Sequence, residues 1–247
     1  MRTAFILVIL IFPMRSLMAQ DDSRVKTLLA EADILIASSN LPEALNKTRE
    51  VLDFAPGSHP ALQKQINIYF LMNDDKEAMR LADDAVRKYP DMAAYYYLRG
   101  IILNAKEKFS KALDDFSRAI ELEPGDILYR CYLGRGVSYM NLLEYDNALL
   151  DLTASIEKND TVASSFHSRA MVNYELRDYS AAVNDFLKVL ELSEGNSALY
   201  FNLGMSYYRL DDMEKACPHL NKACSMGNLN ACRMSLMECA KAIPVVR

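Results

Sequence analysis

From Ala93 to Ala105 apolar residues stand on almost every side of a helical projection, while Phe109 to Leu122 carries them at helical spacing with charges between. Lys106, Glu107 and Lys108 separate the two stretches. The pattern predicts a buried helix, a short polar turn and an amphipathic helix that folds back antiparallel to the first. It also recurs. Ala44, Ala78 and Ala112 succeed one another at a spacing of 34 residues, as do Ala148, Ala182 and Ala216, and a single spacing of 36 joins the two sets. Twelve residues ahead of these alanines stand Ala32, Ile66, Gly100, Gly136, Ala170 and Gly204, nearly all small. Some seven residues after them come Val51, Ala85, Ala119, Ser155, Val189 and Ala223. Pro56, Pro90 and Pro124 close the first three units, because proline lacks an N–H and clashes with the preceding turn.

Self-similarity at this period predicts a solenoid, in which each helix pair buries its apolar face only against its neighbours. Six units are assigned, at 25–58, 59–92, 93–126, 129–162, 163–196 and 197–230, with Ile127 and Leu128 as a two-residue insertion. Folding each hairpin about its turn sets Gly100 level with Ala112, Gly136 with Ala148 and Gly204 with Ala216, so that two surfaces poor in side chains meet. Leu229 to Ala242 reads as a final helix that caps the open end of the stack, and 243–247 as a tail.

The order of residues within the unit resembles the tetratricopeptide repeat family. Tyr96, Tyr132, Phe166 and Tyr200 hold the place of the family's first aromatic, followed by the small residue, Tyr139 or Tyr207, the alanine, then Phe116, Leu152, Phe186 or Leu220, and the closing prolines. Tryptophan, which the family pattern places first, occurs nowhere in the chain, and the first two units depart furthest from the pattern. The resemblance implies an all-α fold, a right-handed α-solenoid of antiparallel helix pairs. It also implies that the first helix of each unit lines the concave side.

The chain has 247 residues and a net charge of −5. Lys and Arg are scattered, so no electrostatic footprint for nucleic acid is present. Met1 and Arg2 precede an apolar run from Ala4 to Phe12, then Pro13 and a Leu17, Met18, Ala19 ending. This reads as a secretory leader, residues 1–19, cut after Ala19, with 20–24 as a short tail ahead of the repeats. Arg15 interrupts the run well short of the roughly twenty apolar residues a membrane anchor needs. The mature chain is expected to be exported, periplasmic or secreted, and to have no membrane span.

In an exported chain the cysteines invite a pairing argument. Cys217 and Cys224 fall on the second helix of the last unit, Cys232 and Cys239 on the capping helix. The pairs 217 with 239 and 224 with 232 are both centred on Asn228, two rungs of one antiparallel ladder. These are candidate disulfides that pin the cap; four buried free thiols fit the sequence equally. For an exported chain the Asn-x-Thr triplets at Asn46 to Thr48 and Asn159 to Thr161 are glycosylation acceptor sequences, the second at a unit boundary.

Arg99, Arg135 and Arg169 form a row that suggests phosphate binding. Sixteen residues after each stands an aspartate, Asp115, Asp151 and Asp185, which the hairpin sets opposite. In the first unit Glu31 and Lys47 hold the same places with the charges exchanged. An anion site needs one sign of charge, so these are read as structural ion pairs.

The groove expected from the family resemblance is lined by Tyr97 and Ile101; Leu133, Val137 and Met140; His167, Met171 and Tyr174; Phe201, Met205 and Tyr208. Apolar, aromatic and methionine-rich, it suits a peptide with large side chains. The lysine and asparagine clamp with which some family members grip acidic chain ends is missing, since only Asn67 fits it. No catalytic constellation, metal-ligand spacing or cofactor motif is found. The function expected is a non-catalytic scaffold that binds another protein or a peptide. The alternatives are a glycan or small-ligand module of the cell envelope, and a self-associating structural protein.

Overall fold

The computed structural model describes the backbone of residues 7–122 and 125–239, and side chains from Asp22 onward. Pro124, the first six residues, the end of the expected cap and the 243–247 tail lie outside the described residues. The fold is an all-α solenoid, and among the described residues no helix is long and apolar enough to cross a membrane.

The helices follow one another in pairs: α1 (Leu7–Ala37) and α2 (Leu41–Phe54), α3 (His59–Leu71) and α4 (Asp75–Lys88), α5 (Ala93–Ala105) and α6 (Phe109–Glu121). After a 3₁₀ turn at Gly125–Ile127 come α7 (Leu128–Asn141) and α8 (Tyr145–Lys158), α9 (Ala163–Glu175) and α10 (Tyr179–Leu192), α11 (Ser197–Arg209) and α12 (Met213–Ser225). Of the two residues read as the insertion, Ile127 ends the 3₁₀ turn and Leu128 opens α7. α1 runs unbroken from Leu7 through the segment read as leader and tail into the first repeat.

The turn inside every pair repeats in backbone detail. Ser39, Asn73, Glu107, Leu143, Arg177 and Asp211 all have φ between 56° and 66°. The next residue donates its N–H to a carbonyl five positions back, as in Asp74 to Tyr69 and Asp178 to Asn173, both 2.9 Å. This bond closes the first helix by satisfying one of its orphan carbonyls. Asp74, Asp178 and Asp212 then cap the second helix by accepting from the backbone N–H three residues on.

The chain divides into two compact units, one through Ile102 and one from Leu103. In the first, Leu28, Val51 and Ala61 form one buried cluster, Ala44, Leu45 and Ile68 a second, and Ile66, Ala78, Ala82, Ala85, Val86, Tyr95 and Ile102 a third. Tyr95 is fully buried, and its hydroxyl lies 2.7 Å from His59 Nδ1. That bond satisfies the phenol, whose pKa burial pushes up to about 12.

In the second unit the largest cluster joins Phe166, Ala170, Ala182, Phe186, Leu199, Leu203, Ala216 and Leu220. Close approach at the small positions is real there, but the contact differs from the level pairing of glycine with alanine. A Cβ on Gly136 would stand 2.9 Å from Leu152 Cγ, and one on Gly204 equally close to Leu220 Cγ, each leucine one turn beyond the alanine. Gly134 is tighter still, its absent Cβ lying 2.5 Å from the ring of Phe116.

The expected capping helix is α-helical only as α13 (Leu229–Met234) and continues as a π turn, Ser235–Cys239. Ala231 and Cys239 are its buried residues, while Leu229, Leu236 and Met237 are exposed. Its outer side is therefore partly apolar.

Candidate partner-binding surface

The eleven side chains expected to line the groove share one property: each is half-buried, neither sealed in the core nor free in solvent. On α7, α9 and α11 they repeat at equivalent positions. Leu133, His167 and Phe201 form one row, Val137, Met171 and Met205 the next, and Met140, Tyr174 and Tyr208 the last. Leu133 and Met140 pack on the cluster of Ala148, Leu152 and Val172, and Met171, Tyr174, Phe201, Met205 and Tyr208 on the large cluster of the second unit. Half-buried side chains of this kind pack on the core and keep part of their surface exposed. Tyr97 and Ile101 belong to the first unit, with the same half-burial.

Polar groups on this face are few. Asn202 Nδ2 lies 3.3 Å from Met171 Sδ, and Arg209 Nε lies 3.5 Å from the hydroxyl of Tyr174, which meets Tyr179 edge to face. Burial holds the pKa of His167 below its ordinary value, and its ring stands 5.8 Å from that of Phe186. Of the eleven side chains expected to line this face, His167 alone carries an ionisable nitrogen.

The arginine row is built differently. Arg135 grips Asp151 through Nε and Nη2 at 2.7 and 2.8 Å, and Arg169 grips Asp185 in the same two-pronged way at 2.8 Å. Both aspartates are buried, and the hydrogen bonds hold both guanidinium pKa values above their ordinary range. Lys47 meets Glu31 at 2.6 Å with the charges exchanged. Arg99 and Asp115 belong to different units, and within the first unit Arg99 donates to Asp83 at 3.0 Å.

A further partner escaped the sequence reading. Arg135 also donates to Ser117 Oγ at 3.1 Å and Arg169 to Thr153 Oγ1 at 3.2 Å. Asp83, Ser117 and Thr153 occupy one repeat position, spaced 34 and 36 residues apart. Each arginine thus ties its own repeat to the second helix of the repeat before, Arg99 within the first compact unit and Arg135 and Arg169 within the second. It also lies over the aromatic ring three residues earlier, Tyr96, Tyr132 or Phe166, at 5.8 Å in all three cases. The period of the polar residues at 83, 117 and 153 was the available signal.

At the end of the second unit the sulfurs of Cys217 and Cys239, and of Cys224 and Cys232, lie at disulfide distance, with Cα atoms 5.6 and 4.6 Å apart. Cys131 is buried, which pushes its thiol up to about 12. No group of histidine, cysteine and carboxylate side chains suited to a metal occurs among the described residues.

Family models described as tetratricopeptide repeat match residues 60–91, 93–126, 163–196 and 197–226. The chain belongs to the tetratricopeptide repeat family. Human tetratricopeptide repeat protein 6 is 27% identical over 184 residues, covering 73% of this chain and 35% of that protein. The UDP-N-acetylglucosamine–peptide N-acetylglucosaminyltransferase of Giardia intestinalis is 42% identical over 71 residues, 29% of this chain and 5% of the enzyme. The chain thus spans well under half the length of both relatives. Among solved structures, PilF of Pseudomonas aeruginosa superposes with a TM-score of 0.76 at 15% identity, covering 88% of this chain and 99% of that one. YrrB, described as a TPR protein with an unusual peptide-binding site, gives 0.62 at 20% identity over 77% of this chain and 98% of its own. At these identities the likeness is one of fold.

Proposed function

We propose that the chain is an exported, non-catalytic scaffold that holds a segment of another protein, rich in large apolar side chains, on the face formed by α7, α9 and α11. The observation that carries the reading is the half-burial of nine side chains at three equivalent positions on three helices, all but one apolar or aromatic. A wall of this kind buries apolar ligand surface without first ordering its own side chains, which keeps the entropic cost of binding low. Methionine at three of the nine places lets the wall adapt to the shape it meets. Membership of the family supports a protein or peptide partner, and the chemistry of the Giardia transferase, matched over 5% of its length, stays with that enzyme. Export is supported by the leader sequence and by four cysteines placed for two disulfides.

The test pairs the mature chain with its Tyr174→Ala/Tyr208→Ala variant as baits for exported proteins. Removing two aromatic anchors is expected to weaken capture of a specific partner about tenfold or more, with the helical circular dichroism unchanged. Equal capture by both baits excludes this face as the main site.

A further inference from the structure

The two Asn-x-Thr triplets are identical as sequence signals, and the fold separates them. Asn46 lies inside α2, and Thr48 is fully buried with its hydroxyl donating to the carbonyl of Leu45 at 2.8 Å. A transferase that reads both side chains of the triplet would have to unwind α2 and draw Thr48 out of the core. Asn159 stands just past the end of α8, in extended conformation with φ −156° and ψ 104°. Asp160 and Thr161 beside it are exposed. Thr161 donates to Asn159 Oδ1 twice, from its backbone N–H at 3.0 Å and from its hydroxyl at 2.7 Å.

Those two bonds bear on reactivity. An amide nitrogen is a poor nucleophile because its lone pair is delocalised onto the oxygen. Two donors on Oδ1 stabilise negative charge there and make the Nδ2 protons easier to remove. Asn159 itself is half-buried beside its two exposed neighbours, and the triplet is already folded so that its threonine acts on its asparagine.

We propose that Asn159 accepts an N-linked glycan during passage through a glycosylating export pathway, and that Asn46 does not. The inference rests on the export reading above. The donor is a sugar linked through a diphosphate to a lipid, and the catalyst is a membrane transferase. Asn159 Nδ2 forms a bond to the anomeric carbon, and the bond from that carbon to the diphosphate oxygen breaks. The electron pair leaves with the diphosphate, and one Nδ2 proton passes to a base on the transferase. The modification would sit between α8 and α9.

The full chain is expressed in a host that N-glycosylates exported proteins, once with its own leader and once with residues 20–247 behind a leader of the host, and glycopeptides are mapped by mass spectrometry. One glycan on Asn159 is expected. Asn159→Gln and Thr161→Ala abolish it, while Thr161→Ser and Asn46→Gln keep it. Modification with the host leader alone sinks the export reading and leaves Asn159 as the acceptor. An unmodified chain behind the host leader, a glycan on Asn46, or one on the hydroxyl of Thr161 overturns the proposal.

Discussion

Arg135 shows how one side chain serves the stack. Its guanidinium meets a buried carboxylate with two prongs, a hydroxyl of the preceding repeat with a third nitrogen and an aromatic ring with its face. Arg135→Met removes all of these and leaves Asp151 buried without its cation. Unpairing a buried carboxylate costs about 3–5 kcal/mol, and because the arginine is partly exposed a loss of roughly 2 kcal/mol is expected in a urea melt. Adding Asp151→Leu should recover part of that loss; a single variant as stable as the parent refutes the structural role. The pairing with Asp151 was legible because the sixteen-residue spacing crosses a hairpin whose geometry the period already set. Ser117 and Thr153 were not, since a lone hydroxyl on an amphipathic helix looks like solvent-facing polarity until its position is counted in repeats. Leu143 is a second case: an exposed leucine held at φ 63°. Left-handed backbone costs an L-residue about 1–2 kcal/mol and glycine loses about 0.5–1 kcal/mol of entropy. Leu143→Gly is therefore expected to stabilise the fold by up to about 1 kcal/mol, read as a higher urea midpoint, and a lowered midpoint contradicts the account.

Helices and turns differ in how far the sequence disclosed them. The pairs from α1 to α12 follow from apolar periodicity and closing residues. The left-handed turns do not, because none of their six residues is glycine and the backbone bond that fixes them leaves no mark in composition. Likewise the π turn after α13 has no proline or glycine to announce it. That last element holds to α12 with little buried surface of its own, since Ala231 and Cys239 are its buried residues. The two cysteine pairs must then secure it if they are oxidised. Alkylation of the unfolded, unreduced mature chain is expected to label Cys131 alone. Reduction beforehand should expose all five thiols and speed hydrogen exchange from Leu229 onward ahead of the rest of the second unit. Five labelled thiols without reduction would exclude the disulfides.

At the scale of the molecule, the recurring alanine and its period are enough to specify an all-α solenoid. The division after Ile102 leaves no mark in the sequence, because it falls inside α5, where the residues stay apolar and unpunctuated. The face of α7, α9 and α11 was legible as three rows of residues. Period alone could not say that each row is half-buried, since a helix packed on two sides has two apolar faces. The turns carry one more consequence. Their shape is fixed by backbone hydrogen bonds, so non-glycine residues of different size and charge can hold the left-handed place: serine, asparagine, glutamate, leucine, arginine and aspartate all occupy it. In the second unit this supplies four sites, Glu107, Leu143, Arg177 and Asp211, at which evolution or an engineer can alter surface charge without redrawing the scaffold.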